Sequence, residues 1–189
     1  VLARGGLTLQ DVQPVDAGAV GVALQAVRTG TVDAIVHTEP VLTMLEQKGD
    51  IRLISDTRSL KGAQEVFGGA MPSACLFAPA QSVQNHGNTM QALTDAIVHA
   101  LKWLQTAGPS DLIKVVPESY MLGDRALYLT ALAKVRESIA LDGMIADEGA
   151  RTALRAMARA DPAVVPGKID LDRVYTNAYA RRAKERFRA

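Results

Sequence analysis

Three histidines and one cysteine are the side chains in this chain best suited to nucleophilic or proton-transfer chemistry. His86 lies in the loop-like run Gln84-Asn85-His86-Gly87, and His99 lies on a helical pattern between Ile97 and Trp103. His37 is the informative one. It directly follows the apolar, β-branched run Val32-Asp33-Ala34-Ile35-Val36 and precedes Thr38-Glu39-Pro40, where a proline suits the first turn of a helix. In an open parallel sheet, ligands bind just beyond the carboxyl ends of the strands. His37, Thr38 and Glu39 are therefore expected to face a ligand. The same rule selects Asp16, after a run ending at Val15, although Asp16 could equally cap the helix that follows. Free N–H groups at helix starts near Ala17 and Glu39 would suit anions or carbonyl oxygens, while an inward-facing Glu39 would favour a donor-bearing ligand.

Catalysis is the less economical reading. A nucleophile needs a base within reach and a third group to orient that base. Cys75 stands among apolar neighbours in Ser73-Ala74-Cys75-Leu76-Phe77, a run that predicts a buried strand and an inert thiol. No G-x-S-x-G, Walker loop, G-x-G-x-x-G or H-E-x-x-H occurs, and Gly5-Gly6 and Gly68-Gly69 are too sparse to cradle phosphates. A single cysteine allows no intrachain disulfide and no cysteine-based zinc site. The expectation is a binding protein without cofactor, metal or catalytic residue.

The elements that would position these residues follow from apolar periodicity. Asp11–Val15, Val32–Val36, Ile51–Ser55 and Ser73–Phe77 read as strands. Helices are expected from Ala17 to Arg28 and from Pro40 to Lys48. The order strand-helix-strand-helix-strand predicts a parallel sheet with right-handed crossovers. After Pro79 the pattern is helical. Met90, Leu93, Ile97, Ala100, Leu101 and Leu104 share one face; Asp124 suits the cap of a helix carrying Leu127, Ala131 and Val135; Asp147 suits the cap of another with Leu154 and Met157; and a last helix is expected from Asp170 or Asp172 into the tail. The glycines and proline of 62–72 suit a crossing between two lobes.

Composition narrows the function classes. The 189 residues carry 21 basic and 20 acidic side chains, a formal net charge of +1, which gives no broad electrostatic footprint for nucleic acid. The basic tail Arg181-Arg182-Ala183-Lys184-Glu185-Arg186-Phe187-Arg188 reads as a solvated final helix whose cations suit its negative end. No run approaches the roughly 18 apolar residues a spanning helix needs.

Several short motifs, in order, resemble those of periplasmic substrate-binding proteins of ABC importers, in the nitrate, sulfonate and taurine branch also called NMT1/THI5-like. They are Gly6-Leu7-Thr8-Leu9-Gln10-Asp11-Val12, Thr29-Gly30-Thr31-Val32-Asp33-Ala34 and Glu39-Pro40, then Ala100-Leu101-Lys102-Trp103-Leu104, Val116-Pro117-Glu118-Ser119-Tyr120, Asp142-Gly143-Met144, Ile169-Asp170-Leu171 and Tyr175-Thr176-Asn177. The resemblance implies a two-lobed α/β fold of the type II periplasmic-binding-protein kind, closing like a Venus flytrap. Residues 1–68 would lie in the second lobe, and residues 69–189 would return to the first lobe with one strand and the C-terminal helices. It implies that an N-terminal segment and a signal peptide precede Val1. It adds Met71, Pro72 and Ser73 to the ligand site. The implied function is solute binding for an importer: a monomer in the periplasm that captures a small polar organic molecule or anion and meets a membrane permease. A pyrimidine-synthase-like enzyme and the effector domain of a transcription regulator are the alternatives.

Overall fold

The computed structural model describes residues 1–189 throughout. It is all-helical. Nine α-helices follow one another: α1 (Val20–Arg28), α2 (Val41–Lys48), α3 (Leu60–Phe67), α4 (Ala80–Asn85), α5 (Gly87–Thr106), α6 (Pro109–Val115), α7 (Arg125–Val135), α8 (Asp147–Ala160) and α9 (Ala178–Phe187), with short 3-10 turns between some of them. None is long and apolar enough to cross a membrane.

The expected α/β class, with its two-lobed type II periplasmic-binding-protein sheet and flytrap closure, is therefore corrected. The four runs expected as strands do not pair. Asp11 closes a 3-10 turn over Leu9–Asp11, and Val32–Val36, Ile51–Ser55 and Ser73–Phe77 belong to no helix and no ladder. No backbone–backbone hydrogen bond involves Asp33–Val36, Ile51–Ile54 or Ser73–Phe77. The physical reason is that a strand has no hydrogen bonds of its own. A β-branched run becomes a strand only beside another, whereas a helix closes its bonds within itself.

The helices follow their local signals. Gly49 ends α2 at a φ of 72°, in the left-handed conformation that glycine adopts without steric cost. Ser59 caps α3 by accepting from the Gly62 N–H at 3.0 Å. Gly62 is also a close approach, since a Cβ there would stand 1.6 Å from the Asp56 carbonyl oxygen. Asp124 caps α7 through the Leu127 N–H at 2.9 Å. Asp147 opens α8 as its first residue, behind Ala146 at the cap, and Asp170 caps a 3-10 turn well before α9.

Two packed units organise the chain. In the first, α1 lies on α2, and α2 on α7. Ala23, Leu24, Val41 and Leu45 form its buried centre, bordered by Val20, Val27, Ile35, Met44 and Ile51. In the second, α9 lies along α5. Gln91 donates through Nε2 to the Tyr179 carbonyl at 3.0 Å and accepts at Oε1 from Arg182 Nε at 2.6 Å; Arg186 pairs with the buried Asp95; and the His99 and Phe187 rings stack at 4.7 Å. The basic tail thus turns several cations inward onto partners. Lys184 reaches Asp142 at 2.7 Å. Arg136, just after α7, ties the two units by donating to the carbonyls of Leu104 and, at 2.9 Å, Ala107.

Candidate functional site

The site is built where α2 meets α7. The chain enters α2 through Glu39-Pro40, and the Glu39 carboxylate folds back over the first turn. Its Oε2 accepts the Thr43 N–H at 3.0 Å, and its Oε1 is held by Arg58 Nη1. An acid at this position satisfies one of the free N–H groups of the helix start and complements its positive end. Both oxygens are therefore engaged by the protein.

Arg58 is the hub of a five-membered ion cluster. Its side chain is only 11% exposed, and that of Glu39 only 10%. Nη1 also meets Glu46 at 3.1 Å; Nη2 and Nε meet Asp56 at 2.7 and 2.9 Å; and Lys134 of α7 reaches Glu46 at 2.6 Å. Hydrogen bonding from Arg58 holds the Asp56 carboxyl below its usual range, against the opposing effect of burial. Burial acts to raise Glu46, but the hydrogen bonds and charges of Arg58 and Lys134 outweigh it, and Glu46 too is held low. The Arg58 guanidinium is raised further above its already high value, first by its hydrogen bonds to Asp56. The cluster links α2, the 56–58 loop and α7, and so fixes the wall of the cavity beside it.

That cavity has a volume of about 270 Å³ and is open to solvent. Glu39 and Pro40 form one side. Tyr120, Met121 and Leu122, from the turn before α7, and Leu127, Tyr128, Ala131, Leu132 and Val135, along α7 itself, form the rest. The lining is apolar and aromatic apart from Glu39. Met121 is fully buried beneath it, and Tyr120 is exposed at its rim. Such a cavity holds an apolar body by removing its surface from water, with tyrosine rings for stacking and hydroxyls as polar handles.

Of the residues expected to bind ligand, only Glu39 reaches this cavity. His37 Nδ1 accepts the N–H of its own neighbour Thr38 at 2.9 Å, and neither residue lines the cavity. Asp16 accepts the Gly18 N–H at 2.9 Å, a local turn ahead of α1. Pro72 packs against Gly149 of α8, where a Cβ would approach its ring carbon to 3.2 Å; Met71 and Ser73 flank it, away from the cavity. The expected parallel-sheet edge would have gathered His37, Thr38 and Asp16, and the two-lobed cleft implied by the resemblance would have added Met71, Pro72 and Ser73; without a sheet they disperse. Cys75, expected buried, is exposed on an extended segment. No group of three or more His, Cys, Asp or Glu side chains is arranged so that it could hold a metal ion.

Tyr120, Met121, Leu122, Tyr128 and Leu132 escaped the sequence reading. Leu127, Ala131 and Val135 were recognisable as one face of a helix, but a face that lines a cavity has the same periodicity as one that fills a core.

The geometry defines an all-helical protein with an open apolar cavity beside a partly buried ion cluster. No family model matches the chain, and no curated protein matches it. A solved structure of a protein from Bordetella bronchiseptica RB50 is similar over 100% of this chain, with 47% sequence identity and a TM-score of 0.91. The chain spans 59% of the length of that protein. The name given to the Bordetella protein states no ligand or reaction. Because the chain is all-helical, with no sheet to form two α/β lobes, the resemblance to NMT1/THI5-like periplasmic substrate-binding proteins is overturned. Motifs of three to seven residues at turns and helix ends recur wherever the same local conformation is needed, and their order alone did not carry a family.

Proposed function

We propose that this chain captures a small molecule with an apolar or aromatic body in the cavity between Glu39-Pro40 and α7, and does not transform it. The cavity carries the reading. Its volume lies just below the roughly 300–1,000 Å³ usual for small-molecule sites, which suits a small solute, and its lining has the apolar character of such sites. The engagement of Glu39 by Arg58 and Thr43 favours an apolar over an anionic or strongly donor-bearing solute, because no unpaired charge faces the cavity from that side. A membrane permease as partner and a periplasmic setting, both implied by the family resemblance and not by the cavity, are further proposals, tested by fractionating cells and by cross-linking the solute-loaded protein to membranes.

The direct test is a thermal-shift screen of small aromatic and aliphatic molecules, followed by calorimetry on each that stabilises the fold. A solute at a hundred times its Kd should stabilise by about 2.7 kcal/mol. Tyr120→Ala, at an exposed rim position, should weaken its binding at least tenfold, as expected of a lost stacking contact worth about 1.4 kcal/mol. A solute bound equally well by Tyr120→Ala would place the site elsewhere and end this reading.

A further inference from the structure

The chain exposes 13,172 Å². A compact monomer of 20.1 kDa should expose about 8,700 Å². The excess, roughly half as much again, runs along the chain, with exposed large apolar side chains from Val1 to Val174. Only 19 of the 189 residues are buried. Among the large apolar side chains, Val36 is 96% exposed, Phe77 88% and Ile54 77%. These three sit on the three extended segments whose backbones make no hydrogen bonds to other backbone groups, namely 33–36, 51–54 and 73–77. Apolar side chains and unpaired backbone edges therefore coincide, which is the combination that invites strand addition from other polypeptide.

We propose that these segments are an interaction surface for further polypeptide of the same protein, which lays extended chain along them and covers Val36, Ile54 and Phe77. Size decides between occupants. A surface excess above 4,000 Å² on this chain alone is beyond what one added peptide strand covers. It is also about twice the per-partner share of even a large obligate dimer, since such interfaces bury 2,000–5,000 Å² counted over both partners. A domain-sized piece is required, which disfavours a second copy of this chain. The Bordetella protein has such a piece, because about two fifths of its length lies outside the match to this chain. The inference rests on surface area and backbone pairing and is independent of the solute cavity.

The test uses the native polypeptide as its gene encodes it. Intact mass spectrometry should give a mass well above 20.1 kDa. Amides of 33–36, 51–54 and 73–77 should exchange at least a hundredfold more slowly in it than in unstructured peptides, and at near-peptide rates in the 189-residue chain alone. Val36→Lys, Ile54→Lys and Phe77→Lys together should lower the melting temperature of the native protein while leaving the helical circular dichroism of the 189-residue chain unchanged. A native polypeptide of 20.1 kDa, a symmetric dimer of it with these amides protected, or near-peptide exchange rates in the native protein would each overturn the proposal.

Discussion

The unit built from α1, α2 and α7 and the extended segments that flank it treat similar side chains in opposite ways. Val41 and Leu45 on α2 are fully buried, while Val36, five positions before Val41, stands in solvent. Both runs are rich in apolar residues. On α2 the backbone bonds are closed within the helix, so one stripe of side chains needs covering, and α1 supplies the cover. On Val32–Val36 both the backbone and the side chains need neighbours, and this chain provides none. Helical parts of a protein are therefore locally self-sufficient, and extended parts depend on what is brought beside them.

The largest expected effect is in the covered region. Leu45→Ala, at a site with no solvent exposure, should destabilise by about 3 kcal/mol, within the 2–5 kcal/mol range for buried leucines, as read from urea melts. A loss under 1 kcal/mol would mean that this unit is no better packed than the extended segments, and the contrast would dissolve.

The ion cluster should respond next. Arg58→Met removes the hub from Glu39, Glu46 and Asp56 and leaves three carboxylates facing one another. The expected cost is about 2 kcal/mol, below the 3–5 kcal/mol for a fully buried pair because Asp56 and Glu46 retain contact with water. The pH dependence follows from the depressed carboxyls. Glu46 and Asp56 hold their protons less tightly folded than unfolded, so their contribution is complete above the ordinary carboxylate range, about pH 4, and is lost as pH falls through their lower folded values. Melting temperature should therefore drop below about pH 4 in the parent and drop less steeply in Arg58→Met. Equal acid sensitivity in the two proteins would show that the cluster does not link α2 to α7.

The smallest effect sharpens the comparison from the other side. Val36→Ser in the 189-residue chain should change stability by less than about 0.5 kcal/mol in a urea melt, as for a surface position. A loss of 1 kcal/mol or more would show that the segment is covered within this chain after all.

The legibility of the site divides along the same line. Glu39 was singled out with His37 and Thr38 by its place between an expected strand and the helix start at Pro40. Its engagement by Arg58 was not legible, since that guanidinium lies 19 residues on and nothing in the spacing announces the meeting. His37 and Asp16 were chosen by their place on a sheet that does not form, and the 71–73 run by a family resemblance that does not hold. Tyr120 and Tyr128 were passed over because the cavity exists only where α7 crosses the entrance to α2.

By itself the sequence determined most of the helices: where apolar faces repeat, where Asp124 caps, and where Gly49 stops a turn. These depend on bonds closed within about four residues, so local composition suffices. The helix Leu60–Phe67, capped by Ser59, instead formed in a stretch expected as a crossing between lobes. Tertiary structure decided the rest, namely that the β-branched runs stay unpaired, that Arg58 gathers three carboxylates, and that a tyrosine-lined cavity opens beside them. Those outcomes join residues distant in the chain, and their energies come from neighbours that no local pattern names.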